Sequence, residues 1–335
     1  MKMRKLIKTI IPAAVMLAAV FTVSVSADPA VPALPAPIVT PAAATPAATA
    51  PVPAANAAVP AVPAATTVPA APAVPTPAVT PTAAPLAVKI VDLVIFAGQS
   101  NMSGRGGSVK AAPGVPVDTG YEFRYGTCPT GMYPVQEPFG IYSNGYLCDL
   151  PQLRGGTLVS SFMNSYYKAT GVPVLGFSAA RGGSSIGYWQ TPPVQAELAR
   201  KYDLIKAWCT ANHIHIRKEY AVWLQGETDG VARMDKNTYR KGLENTFAPL
   251  FAKGLDQVFV ITIGQYAGLP GTYDQIIAAD LELCAQDPHF SLGSDALRAL
   301  PAAYLTDGCH YNQAALNIVG SQSGNAAAIY SKLTP

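Results

Sequence analysis

Residues 89–96 read KIVDLVIF, and the chain runs on through Ala97 into Gly98-Gln99-Ser100-Asn101-Met102-Ser103-Gly104-Arg105-Gly106. A short apolar run that stops at a glycine-bounded polar turn has the pattern of a strand buried on both faces of a parallel sheet. The pattern returns downstream. Val172 to Phe177 ends in small residues, Tyr220 to Leu224 ends at Gly226, and Val258 to Ile263 ends at Gly264. Helical spacing lies between these runs, at Val194, Leu198, Tyr202, Ile205 and Trp208, and again at Tyr239, Leu243, Phe247 and Leu250. A last helix is expected from near Asn312 towards Leu333, against the helix-weakening Gly320 and Gly324. Alternating strands and helices predict an α/β fold, a three-layer αβα sandwich around a central, mostly parallel sheet. Its reactive groups should gather at the carboxyl ends of the strands.

The region with this texture spans residues 88–335. Upstream, residues 28–87 hold 16 prolines and 23 alanines among 60 positions, with no glycine, no aromatic residue and Asp28 as the one charge. Such a segment cannot build a core, and its proline content favours extended polyproline II, so a semi-rigid linker is expected. Residues 1–27 carry Lys2, Arg4, Lys5 and Lys8, then an apolar run from Ile10 to Val23 and Val25-Ser26-Ala27. This is the layout of a secretory signal peptide cleaved after Ala27; the apolar run falls short of the ~20 residues that span a bilayer and contains Pro12. The expected location is secreted, cell-surface or periplasmic, without a stable membrane span after cleavage and with cell-wall association through the linker as a further expectation. Removing the four N-terminal basic residues turns the formal +3 into 19 basic against 20 acidic residues, which disfavours a nucleic-acid partner.

The strand ends carry the chemistry. Ser100 in a tight turn after a buried strand can present its hydroxyl above the sheet, with backbone N–H groups aimed at the same spot. Its loop has no Walker lysine, and its glycine spacing does not fit a dinucleotide fingerprint. Ala180-Arg181-Gly182-Gly183-Ser184-Ser185, followed by Trp189, offers close backbone approach for an oxyanion. Gln225-Gly226-Glu227-Thr228-Asp229 offers a side-chain amide and two carboxylates to orient neighbours or to pair with Arg105 or Arg181. Near the C-terminus, Asp307 precedes His310 by three residues in a loop before the last helix. Acyl transfer from serine needs a base to take the hydroxyl proton and a carboxylate to hold the imidazole's tautomer.

Together these four segments resemble the SGNH hydrolase superfamily, and within it the sialate O-acetylesterase-like branch that includes carbohydrate esterase family six. That branch carries G-Q-S-N-M-x-G, matched by Gly98 to Gly104, and a G-G-[ST] block before a tryptophan, matched by Gly182 to Ser184 and Trp189. Its Q-G-E-[ST]-D is matched from Gln225 to Asp229, and its D-x-x-H by Asp307 and His310. The resemblance covers 88–335 and implies an SGNH, flavodoxin-like hydrolase fold with Ser100 as nucleophile, His310 as base and Asp307 as its partner. It further implies an oxyanion hole from the Ser100 N–H, a backbone N–H of Gly182 or Gly183, and the Gln225 amide. Gln99, Asn101, Arg105, Glu227 and Asp229 are supporting residues. Glutamine stands at Gln225, where the superfamily's name implies asparagine.

No cofactor and no metal are expected: His213 and His215 lack a nearby third ligand. Tyr121, Tyr125, Tyr133, Tyr142 and Tyr146 mark an irregular segment expected to dress the site and set specificity. Cys128 and Cys148 are expected to pair within it, and Cys309, beside His310, is a weaker nucleophile candidate than Ser100 because of that adjacency. The expected activity is removal of O-acetyl groups from carbohydrate, an acetylated polysaccharide or sialic acid, through an acyl-enzyme. A lipase or thioesterase with the same triad and an idle glycan-binding protein are the alternatives.

Overall fold

The computed structural model describes residues 89–125 and 130–334. The expected signal peptide and linker therefore lie outside the described residues, as does Cys128. The strands are β1 (Lys89–Gly98), β2 (Gly120–Arg124), β3 (Gly131–Pro134), β4 (Val174–Ala180), β5 (Ile214–Leu224), β6 (Gln257–Ile261) and β7 (Phe290–Ser294). They form one sheet in the order β3-β2-β4-β1-β5-β6-β7, parallel except for the β2–β3 pair.

β1 is central and buried from Val91 onward. Its one charged residue past Lys89, Asp92, is fully buried yet satisfied: it accepts from Tyr166 Oη at 2.6 Å and from both Nε and Nη2 of Arg217 at 3.0 and 2.6 Å. The chain adds β4 on one side of β1 and then β5 on the other, so the winding direction reverses at β1. That reversal opens a crevice at the strand's carboxyl end.

Helices cover both faces. α1 (Val159–Thr170) packs on α7 (Gln313–Leu333) over one face, while α3 (Pro192–Ala211), α5 (Lys236–Phe251) and α6 (Asp274–Gln286) cover the other. The αβα sandwich is thus the observed architecture. Gly320 and Gly324 do not interrupt α7. A Cβ on either would collide with the carbonyl oxygen of Leu158 or Phe162, so the two glycines let α7 lie close against α1. Edge-on aromatic pairs fill the interior, among them Trp189–Trp223 at 5.2 Å and Phe96–Phe162 at 5.2 Å, each adding roughly 0.5–1.5 kcal/mol beyond its buried area.

The tyrosine-rich segment departs from expectation. It supplies β2 and β3, whose short runs lack the apolar signature of β1, and it extends the sheet edge rather than forming one irregular loop. Tyr121 and Tyr125 are buried, and Tyr142 lies against the Arg124 guanidinium at 4.0 Å. Among the described residues Cys148 is a buried free thiol that donates to Ser178 O at 3.7 Å, and the expected pairing with Cys128 falls outside the described residues.

Candidate active site

Parallel register makes the strand ends level. Gly98 of β1 pairs with Ala180 of β4 and with Leu224 of β5, so the turns that begin at Gln99, Arg181 and Gln225 start side by side. Arg181 N–H donates to Gly98 O at 2.9 Å and Gln99 N–H to Leu224 O at 3.0 Å, which closes the junction. Only glycine fits at position 98: its φ is +147°, and a Cβ would run into the Leu224 carbonyl. The turn that follows is braced by Arg105 N–H and Ser103 Oγ, both donating to Ser100 O at 3.0 Å.

Ser100 and His310 line one cavity of about 320 Å³, together with Gln99, Arg105, Gly183 and Glu227. The His310 ring meets Asp307 through Nδ1 and Oδ2 at 2.6 Å, and the His310 backbone N–H donates to Asp307 Oδ1 at 2.9 Å. Burial acts to raise the Asp307 carboxyl, but the ring and backbone donors of His310 and the Cys309 N–H outweigh it and hold the group down at about 2. Asp307 is therefore a carboxylate that fixes the ring from its Nδ1 side.

Asn101 and Glu227 join the serine turn to the histidine loop. Asn101 Nδ2 donates to Glu227 Oε1 at 2.6 Å and to Cys309 O at 3.1 Å, while its Oδ1 accepts from Tyr311 N–H at 2.9 Å. Both peptide groups flanking His310 are thus gripped by one side chain of the serine turn. Burial pushes the Glu227 and Asp229 carboxyls up, with donors from Asn101 and from Gln225 respectively acting against it.

The expected oxyanion donors divide. The Ser100 and Gly183 N–H groups carry no hydrogen bond among the described residues, and Gly183 lines the cavity. Gly182 N–H is already committed to Asp149 Oδ1 at 2.9 Å. Gln225 is a correction. Its amide nitrogen lies between Gln99 Oε1, Ser184 O and Asp229 Oδ2 at 3.1, 2.8 and 2.6 Å, its oxygen accepts from Tyr239, and it is fully buried away from the cavity. Those three acceptors exhaust its two N–H groups. Gln99 lies beside it and lines the cavity: its Oε1 is held by Gln225 Nε2 and the Gly226 N–H at 3.1 and 3.2 Å, while its Nε2 carries no hydrogen bond among the described residues.

The expected pairing of Arg105 or Arg181 with Glu227 or Asp229 is also not formed. Arg105 takes Asp149 through Nε and Nη2 at 3.1 and 2.9 Å, and Arg181 donates to Cys148 O at 2.9 Å. Asp229 instead accepts from Ile186 N–H at 2.9 Å, anchoring α2 (Ile186–Trp189). Asp149, buried and also accepting from Ser103 Oγ at 2.8 Å, ties the first block to the second. It stands outside every motif, and its signal was absent from the sequence. None of the five tyrosines singled out earlier lines the cavity; Tyr266 and Tyr273 do. Cys309 Sγ lies 3.7 Å from His310 Nδ1, on the Asp307 side of the ring, and burial with the Asp307 carboxylate pushes its thiol up to about 11. A thiol so placed is a poor nucleophile.

The family profile described as carbohydrate esterase, sialic acid-specific acetylesterase, matches residues 90–327. A protein from Arabidopsis thaliana shares the fold with a TM-score of 0.55 at 17% identity, covering 71% of this chain and 98% of its own. The structure of NanS does so with a TM-score of 0.51 at 15% identity, covering 74% and 99%. No curated protein matches the chain. With the profile spanning the sheet, the serine turn and the histidine loop, the chain belongs to the sialic acid-specific acetylesterase family of carbohydrate esterases, hydrolases acting on carbohydrate O-acetyl esters.

Proposed function

We propose that the protein is an exported serine esterase that removes acetyl groups from carbohydrate through an acyl-enzyme. The observation that carries the reading is the 2.6 Å Asp307–His310 contact on the cavity that Ser100 also lines. Asp307 keeps the ring proton on Nδ1, leaving the Nε2 lone pair to take the Ser100 hydroxyl proton as Oγ attacks the acetyl carbonyl. The resulting oxyanion is met by the Ser100 and Gly183 N–H groups and by Gln99 Nε2, in place of Gln225. His310 then hands its proton to the departing sugar oxygen. Water, deprotonated by the same imidazole, releases acetate. No step calls for a metal or cofactor.

Export rests on the N-terminal basic and apolar stretches and on the proline-alanine segment after them, which would hold the enzyme at a surface or in a wall polymer. Among the described residues no helix is long and apolar enough to cross a membrane.

The test is acetate release from acetylated xylan, sialic acids and peptidoglycan, followed by mass analysis after treatment with a phosphonate ester. Wild type should release acetate from at least one substrate and gain the phosphonyl mass on Ser100. Ser100→Ala should fold normally, lose nearly all turnover and take up no label; a folded variant that keeps most of its turnover would sink the assignment.

A further inference from the structure

The histidine loop brings together three side chains of which the proposed chemistry uses two. Asp307, Cys309 and His310 each offer one ligand atom, and these atoms all lie within 4.8 Å of one another. Cys309 Sγ is 3.7 Å from Asp307 Oδ1 and 3.7 Å from His310 Nδ1, while Nδ1 and Oδ2 stand at 2.6 Å. With Zn–S near 2.3 Å and Zn–N and Zn–O near 2.0–2.2 Å, a tetrahedral site has ligand–ligand edges of roughly 3.3–3.6 Å. The Sγ–Nδ1 and Sγ–Oδ1 separations are within about 0.1 Å of that range, and the third edge is set by which Asp307 oxygen turns to the ion. The Asp307 side chain is about half exposed, so a water can complete the fourth position.

We propose that Asp307, Cys309 and His310 form an inhibitory site for a borderline-soft divalent cation of the zinc class. The thiolate, imidazole and carboxylate donor set suits such an ion and is poor for magnesium or calcium. Binding needs the Nδ1 lone pair. The ring proton moves from Nδ1 to Nε2, Cys309 sheds its thiol proton to solvent, and one proton is released per ion bound. A neutral imidazole has a single lone pair, so a metal on Nδ1 leaves Nε2 protonated and unable to accept from Ser100. The ion thereby displaces the Asp307–His310 hydrogen bond and removes the base in one event. This consequence rests on the reading of His310 as the base, whereas the ligation does not.

The experiment uses the folded domain as wild type and as Cys309→Ala, which keeps the Cys309 backbone carbonyl that Asn101 holds. Zinc is titrated against hydrolysis of a soluble acetyl ester, with reversal by chelator, and cobalt(II) is titrated separately while sulfur-to-cobalt charge-transfer absorption is read. The expected result is zinc inhibition of wild type at a concentration at least ten-fold below that needed for Cys309→Ala, chelator reversal, and a charge-transfer band that wild type shows and the variant lacks. Equal inhibition of both proteins with no difference in the band would overturn the site and point to another locus, such as the Asp287–His289 pair. A band that depends on Cys309 in an enzyme that zinc leaves fully active would keep the ligation and overturn the inhibition, and with it the role of His310 as base.

Discussion

At the scale of single residues, the proposed mechanism gives Gln99 the oxyanion duty that motif reading assigns to Gln225. Gln225 is spent on Ser184 O, Asp229 and Gln99, whereas Gln99 has its oxygen pinned inward and its amide nitrogen left for the cavity. Gln99→Glu keeps the pinned oxygen and removes the donor, so kcat should fall by about 10²–10³ with little change in KM, as for loss of one oxyanion-hole donor. Gln225→Leu should act on stability instead, costing about 1–3 kcal/mol by leaving Ser184 O without the amide donor and Asp229 with the Ile186 N–H alone. Steady-state kinetics beside thermal unfolding separates the two, and a Gln225→Leu enzyme of normal stability with collapsed kcat would restore the original assignment. The acid-base pair should behave as a unit. Asp307→Asn should lower kcat/KM by up to about 10⁴, His310→Ala by at least as much, and the double variant by little more than His310→Ala alone. Fully multiplicative losses would separate the two residues' roles. That Ser100, Asp307 and His310 come together was legible, because the roles proposed for them need particular residue types at strand ends. The contacts of Gln99 and Asp149 were not, because the donors that a buried amide oxygen or carboxylate accepts from lie more than 40 positions away in the chain.

Among the elements, β1, β4, β5 and β6 announced themselves through continuous apolar runs, since a strand covered by helices on both faces has no polar side to show. α3 and α5 were equally plain, and α7 was expected in spite of the two glycines inside it. β2 and β3 were hidden: at five and four residues, with Pro134 closing the second, they carry neither alternation nor an apolar run long enough to outweigh the surrounding turn residues. α6 poses a separate question, because it buries Asp280 completely with neither carboxylate oxygen hydrogen-bonded among the described residues. Burial first, then the Glu227 charge, pushes this carboxyl well above the ordinary range. The folded state therefore holds a proton that the unfolded chain releases near pH ~3.9. The stability linked to that proton is fully present below the ordinary carboxylate range and is lost as pH rises towards the raised value. Asp280→Asn, neutral throughout, should match wild type near pH 4 and exceed it by about 1–3 kcal/mol by pH 8. Denaturant unfolding across that interval is the measurement, and a pH-independent difference would show that Asp280 does not titrate in this way.

For the molecule as a whole, the proline-alanine segment and the catalytic domain should be separable in function. Deleting residues 28–87 should leave turnover of a soluble acetyl ester near wild type, because a stretch with no aromatic residue and a single charge has little to contribute to a site. A large loss on that substrate would show that the segment packs on the domain. Acyl length tests the cavity in the same assay. Overfilling a close-packed acyl site costs about 1–3 kcal/mol, so turnover efficiency should drop ten-fold or more from acetyl to octanoyl, and a preference for octanoyl would move the assignment to a lipase.

α7 starts three residues beyond His310, and Asn312 caps it by accepting the Ala315 N–H at 3.1 Å. The helix that carries the histidine loop into place is also the one laid along α1 through Gly320 and Gly324. Ser100 leaves the ribosome some 200 residues before His310, its proposed base, and domains assemble as their N-terminal parts emerge. Until synthesis has passed Leu333, the serine turn exists without the platform that presents His310. On the proposed mechanism, a chain cleaved before that point should keep the serine turn yet hydrolyse no ester, because the helix that presents His310 would be incomplete.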